Sequence, residues 1–83
     1  MKNQYVFLVK KWFDKVNGNT YHSVEYHDFN TGKTISSGIV YGYGKQYEVT
    51  AYEMMIKHGY STDHSLKEFW DNNSTHYHVV EVP

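Results

Sequence analysis

QYVFLVKKWFDKVNGNTYHSVEYHDF (residues 4–29) places two β-prone runs on either side of Asn17-Gly18, and the reading of that stretch decides the fold. The first run, residues 4–14, is rich in Val, Phe and Trp. It is too continuous for an exposed amphipathic helix and predicts a long strand, apolar enough to be covered on both faces. Asn17-Gly18 is the strongest short hairpin signal, because a type I′ turn needs positive φ at both central residues. The second run alternates. Thr20, His22, Val24 and Tyr26 fall on one face, with Tyr21, Ser23, Glu25 and His27 on the other.

Outward from this hairpin, NTGK (30–33) predicts a second tight turn around Gly32, and TISSGIVYGY (34–43) a third strand. A helix follows from Tyr47 to His58. At helical spacing Thr50, Glu53 and Lys57 form a narrow polar stripe, while Tyr47, Ala51, Tyr52, Met55 and Ile56 cover most of the remaining circumference. Glu53 and Lys57 stand i,i+4 in the favourable order. Gly59 occupies the position of a left-handed C′ residue. STDHSLKEFWDNNS (61–74) offers a short second helix, with Ser65 and Glu68 at capping-box spacing and Thr62 or Asp63 as alternative caps. THYHVVEV (75–82) closes the chain as a strand. The order β-β-β-α-(α)-β predicts one α+β domain over residues 1–83, an antiparallel sheet of about four strands packed against one main helix.

Composition narrows the chemistry. A chain of 83 residues has room for one core and buries only about 60–65% of its unfolded surface. There is no cysteine, which removes disulfides, thiol catalysis and thiolate zinc sites. Nine Tyr, four Phe and two Trp supply large buried area instead. The N-terminal run is too short and too charged to span a membrane and lacks a small-residue cleavage site, so a soluble, intracellular protein is expected. Net charge is −1 and every base is lysine. Without arginine's forked donors, a near-neutral chain is a poor candidate for tight, salt-sensitive nucleic-acid binding.

Candidate sites gather at GYGKQ (42–46). Gly42 and Gly44 let the backbone approach an anion, with helix N–H groups and Lys45 adding charge. The stretch lacks the full Walker pattern and follows a meander strand, so the first reading is a turn and the second an anion site. Tyr41, Tyr43, Tyr47 and Tyr60 surround this corner and the helix ends; those that are exposed are aromatic anchors for a protein partner or a second copy. Among the six histidines, His22 and His27 face opposite ways. His76 and His78 share a face at ligand spacing but show no third ligand, so they read as surface residues. No catalytic constellation stands out. Lys2, Lys10, Lys11 and Lys15 make the first strand basic without forming one stripe, which keeps a weak nucleotide or nucleic-acid surface as the alternative.

VKKWFDKVNGNTYHSV and YGYGKQYEVTAYEMM together resemble a family of small accessory proteins of tailed bacteriophages and prophages, over Val9 to Met55. That resemblance implies a bacterial cytoplasm and carries no assigned catalytic residues; the residues themselves lead us to expect no metal and no cofactor. It further implies a non-enzymatic protein that binds and blocks a host component, such as a defence protein in the manner of an anti-CRISPR.

Overall fold

The computed structural model describes residues 3–42 and 44–82. Five strands form one sheet: β1 (Asn3–Asp14), β2 (Asn19–Asp28), β3 (Lys33–Ser36), β4 (Val40–Tyr41) and β5 (Asn73–Glu81). Two helices, α1 (Gln46–Lys57) and α2 (Leu66–Asn72), lie between β4 and β5. The fold is α+β with a single sheet, as its residue pattern predicts. Strand order is β3-β2-β1-β5, with β4 also on β2.

The sheet is mixed rather than wholly antiparallel, because β5 runs parallel to β1. The cause is the helix count. β4 lies beside Tyr21 and His22, and α1 carries the chain from that end of β2 to the other, where the Tyr60 hydroxyl donates to Asp28 Oδ2 at 3.0 Å. One traverse of the sheet returns the chain to the end where β1 begins, so the next strand must follow β1's direction.

Both hairpins close with the same chemistry. Each connection is a four-residue loop rather than a two-residue type I′ turn, and only its glycine has positive φ, 68° at Gly18 and 74° at Gly32. Asp14 and Asp28 end their strands four residues earlier. Their carbonyls accept the Gly18 and Gly32 N–H groups at 2.8 and 2.7 Å. Their carboxylates also accept loop amides, Val16 at 3.0 Å and Asn30 at 2.9 Å. Asp-x-x-x-Gly is thus the turn signal, an aspartate-capped loop closed by a left-handed glycine. The Asn17 side chain, foremost, holds the Asp14 carboxyl below its ordinary range.

The run from Thr34 to Tyr43, read as one strand, is two. Ser37, Gly38 and Ile39 stand opposite only Ser23 and Val24, a bulge in which Gly38 takes φ 73°. Ser37 holds it together, its amide donating to the Val24 carbonyl and its Oγ accepting the Val24 amide, both at 2.9 Å. The extra residue reverses the side-chain alternation, so Val40 faces the helices, Tyr41 faces away and Ile39 is left exposed.

The core lies between the sheet and the helices. Tyr5, Phe7 and Val9 of β1 meet Val24, Ile35, Ala51, Met54, Met55 and Phe69. Aromatic contacts tie the layers, with Tyr5 stacked on Phe69 at 6.0 Å and Phe7 on Tyr77 at 5.3 Å. Each such side chain contributes about 1.5–3 kcal/mol through burial. Gly59 (φ 79°) ends α1, and the Tyr60 amide reaches back to the Met55 carbonyl at 2.8 Å, a Schellman closure. Ser65 caps α2, accepting the Glu68 amide at 3.1 Å. Asp63 fixes the approach to β5 by accepting from Ser61, Asn72 and Asn73.

The Tyr77 hydroxyl is buried beside Trp70 and Thr75 without meeting either in hydrogen-bonding geometry, and burial pushes its pKa up. Replacing an unsatisfied buried hydroxyl by hydrogen removes a desolvation cost. Tyr77→Phe is therefore expected to match or exceed the parent by up to about 1–2 kcal/mol in urea unfolding. A comparable loss would show that the hydroxyl is bonded.

Candidate interaction surface

Neither helix covers the second face of the sheet. Both pack on the side of Phe7 and Val24, so β1 is covered on one face and not on two, and its burial alternates residue by residue from Gln4 to Lys10. Cross-strand register places Val6 beside His27 and His76, Leu8 beside Glu25 and His78, Lys10 beside Ser23 and Val80, and Trp12 beside Tyr21. Val6 is 58% exposed.

This face has two apolar ends separated by the Lys10–Ser23 row. At one end an aromatic ladder crosses three strands, with Trp12 stacked on Tyr21 at 6.0 Å and Tyr21 edge-on to Tyr41 at 5.9 Å. Tyr41 is 59% exposed. At the other end Val6 and Leu8 floor a groove of about 350 Å³ bounded by Glu25, His27, Phe29 and His78. Phe29, 88% exposed in its loop, stands edge-on to His27 at 4.7 Å, and His27 Nδ1 is hydrogen-bonded to Thr34 Oγ1 at 2.7 Å. Aromatic rings held by cross-strand packing lose little freedom when a partner covers them.

The glycine corner lies beside the aromatic ladder. Gly42 carries the β4 ladder one step further, its amide donating to the Thr20 carbonyl at 3.0 Å. A Cβ there would meet Gln46 Cγ at 2.6 Å and His22 Cε1 at 3.3 Å, so close packing alone requires glycine. Gly44 turns the chain at φ 66°, and its carbonyl accepts Lys11 Nζ at 3.1 Å. The same ammonium lies 5.8 Å from the Tyr47 ring. Lys45 takes the N-cap position exposed and without a side-chain cap bond, since lysine has no acceptor.

The expected tyrosine cluster is dispersed. Tyr41 is on the open face. Tyr47 is half-buried on the helix side, edge-on to Tyr77 at 5.4 Å. Tyr60 lies beyond the far end of α1, against Tyr26 at 5.3 Å and bonded to Asp28. Tyr43 and Lys2 lie outside the described residues. Trp12 and Tyr21 instead accompany Tyr41, and the signal for them was the hairpin pairing of residues 12 and 21. Lys10 and Lys11 point to opposite faces, as their alternation requires. Among the described residues, no three His, Cys, Asp or Glu side chains gather as a metal site.

One polar group is sealed behind the corner. His22, 1% exposed, is hydrogen-bonded through Nε2 to Thr50 Oγ1 at 2.7 Å, with Nδ1 3.4 Å from the Gly42 carbonyl. Thr50 therefore leaves the polar stripe expected of it and is buried, whereas Ile56 is exposed. Burial, aided by the charge of Lys11, lowers the His22 pKa against the opposing pull of the Gly42 carbonyl. The Thr50 hydroxyl donates its one proton to the Gln46 carbonyl at 3.3 Å, which leaves its oxygen to accept from His22 Nε2–H. Among the described residues, no helix is long and apolar enough to cross a membrane.

Two outcomes follow. Because the folded chain holds His22 below its ordinary value of 6.5, the unfolded chain binds more protons in that window and stability falls as pH drops from 7 toward 5. His22→Gln is expected to flatten that segment of the stability–pH curve; an unchanged slope would contradict the assignment. Gly42→Ala is expected to destabilise by about 1–3 kcal/mol through overpacking, measured by urea unfolding. No family model matches the chain, and neither a curated protein nor a solved structure matches it.

Proposed function

We propose that the chain is a non-enzymatic binding protein that occupies the surface of another protein through its uncovered sheet face. The observation that carries this reading is the placement of Trp12, Tyr21, Tyr41, Val6, Leu8 and Phe29 on one face that neither helix covers among the described residues. Apolar surface of this kind on a small domain marks an interaction site, and aromatic anchors dominate such interfaces. The polar row between the two apolar ends gives register to whatever docks. The resemblance to small phage accessory proteins supplies the partner class, a bacterial host protein such as a component of a defence system, blocked by occupation in the cytoplasm.

The alternative is a nucleotide or nucleic-acid binder at Gly42, Gly44 and Lys45. Its support is the start of α1, which no side chain caps, with Lys11 and Lys45 nearby. Against it, Lys11 is already engaged with the Gly44 carbonyl, and Gly42 is explained by packing.

Capture from bacterial lysate separates the two. The tagged chain should retain a protein through nuclease treatment and high salt, and Val6→Lys with Tyr41→Ala should weaken that capture at least about tenfold while leaving the fold intact. Capture that is indifferent to this pair, or that consists of nucleotide or nuclease-sensitive material, overturns the proposal. Loss of that material with Lys45→Ala would then move the function to the glycine corner.

A further inference from the structure

Strand β5 is an edge. It pairs with β1 along its whole length and, among the described residues, has no strand on its other side. The opposite edge is guarded: β3 is short, begins with Lys33 and gives way to the Ser37–Ile39 bulge. Charged residues, short strands and bulges are the usual means of blunting an edge. NSTHYHVVE, the nine residues of β5, contains no lysine, no proline and no glycine.

The backbone phase of β5 fixes how it can pair. The Val82 amide donates to the Lys11 carbonyl at 2.7 Å, so even-numbered amides point toward β1 and odd-numbered ones point outward. The Asn73 amide is used by the Phe69 carbonyl at the end of α2. Thr75, Tyr77, Val79 and Glu81 therefore present the outward amides. Two copies related by a two-fold axis perpendicular to the sheet meet antiparallel, and full overlap of Asn73–Glu81 centres the axis on Tyr77. Tyr77 then faces its own copy, and Thr75 faces Val79 of the second copy. Because these pairs are hydrogen-bonded, the arrangement gives about six new backbone bonds. Glu81 falls opposite Asn73, so no like charges meet.

In the same register His76 falls opposite His78 of the second copy, twice, at non-hydrogen-bonded positions. There the Cα atoms approach to about 4.5 Å and side chains stand closest. Along each strand the two histidines are about 6.5–6.8 Å apart on one face. Both are exposed and lie on the uncovered side of the sheet, where no helix obstructs them. Four imidazoles thus surround one axis at a spacing that a tetrahedral ion with Zn–N bonds of about 2.0–2.1 Å can bridge.

We propose that β5 is the interface of a two-fold dimer in which His76 and His78 of both copies bind one zinc ion. A single chain contributes two ligands only, in keeping with the lack of a three-ligand cluster among the described residues. The dimer leaves the Trp12, Tyr21 and Tyr41 end of the sheet face uncovered, whereas His78 also bounds the groove over Val6 and Leu8, so the two proposals meet at that end of the face.

The test is sedimentation equilibrium of the untagged chain with metal removed, with zinc and with magnesium, combined with zinc analysis of the separated species. The expected result is a monomer without metal or with magnesium and a dimer with zinc, at one zinc per two chains. His76→Ala with His78→Ala should remain folded, by circular dichroism, and monomeric in zinc. Val79→Pro removes only an outward donor and should also abolish the zinc-linked dimer. A parent chain that stays monomeric in zinc overturns the proposal, as does a double histidine variant that dimerises like the parent.

Discussion

Everything in this structure depends on β1 being paired along both edges and buried on one face. Its antiparallel pairing with β2 and parallel pairing with β5 satisfy the backbone of the central strand on both sides. Tyr5, Phe7 and Val9 then supply the sheet's share of the core. Among the described residues both helices form one layer, on the side of Phe7 and Val24. The other face of β1, with Val6, Leu8 and Trp12, is left outside. The surface proposed for binding is thus the direct consequence of a small two-layer fold carrying an apolar central strand.

The join between the layers is polar at one point. His22 and Thr50 lock α1 to β2 beside Gly42, and a neutral imidazole is the form that this pocket accommodates. The glycine corner is part of the same lock, since Gly42 must let Gln46 and His22 close over it. Lys11, bonded to the Gly44 carbonyl, secures the corner from the sheet side. The features that resemble a phosphate cradle in sequence are in this way engaged in closing the fold.

How much of this is legible in the residues varies with the range of the interaction concerned. The alternation of β2, the Gly59 stop and the Ser65 cap depend on neighbours a few positions away, and they can be read directly. The burial of Thr50 depends on a partner 28 residues earlier, so its polarity misleads. The bulge at Ser37–Ile39 is hidden because its residues are as β-prone as the strands around it. The parallel course of β5 follows from counting helix traverses rather than from any local pattern. The open face is masked because Val6, Leu8 and Trp12 make β1 look buried on both sides. Tyr41 and the corner glycines were identified from sequence, but the partners that make Tyr41 an aromatic ladder, Trp12 and Tyr21, emerge only from strand register.

From an uncovered apolar sheet face beside an edge strand we propose a protein partner on the face and a second copy along the edge. Whether the face is open in the free chain is directly measurable, because the sequence has no cysteine of its own. Single cysteines at Val6 and Val9 differ by one face of the same strand. Under native conditions Val6→Cys is expected to react with a thiol reagent at nearly the rate of an unstructured peptide, while Val9→Cys reacts only through unfolding. Equal protection of both positions would mean that the face is covered within the chain and is no binding surface.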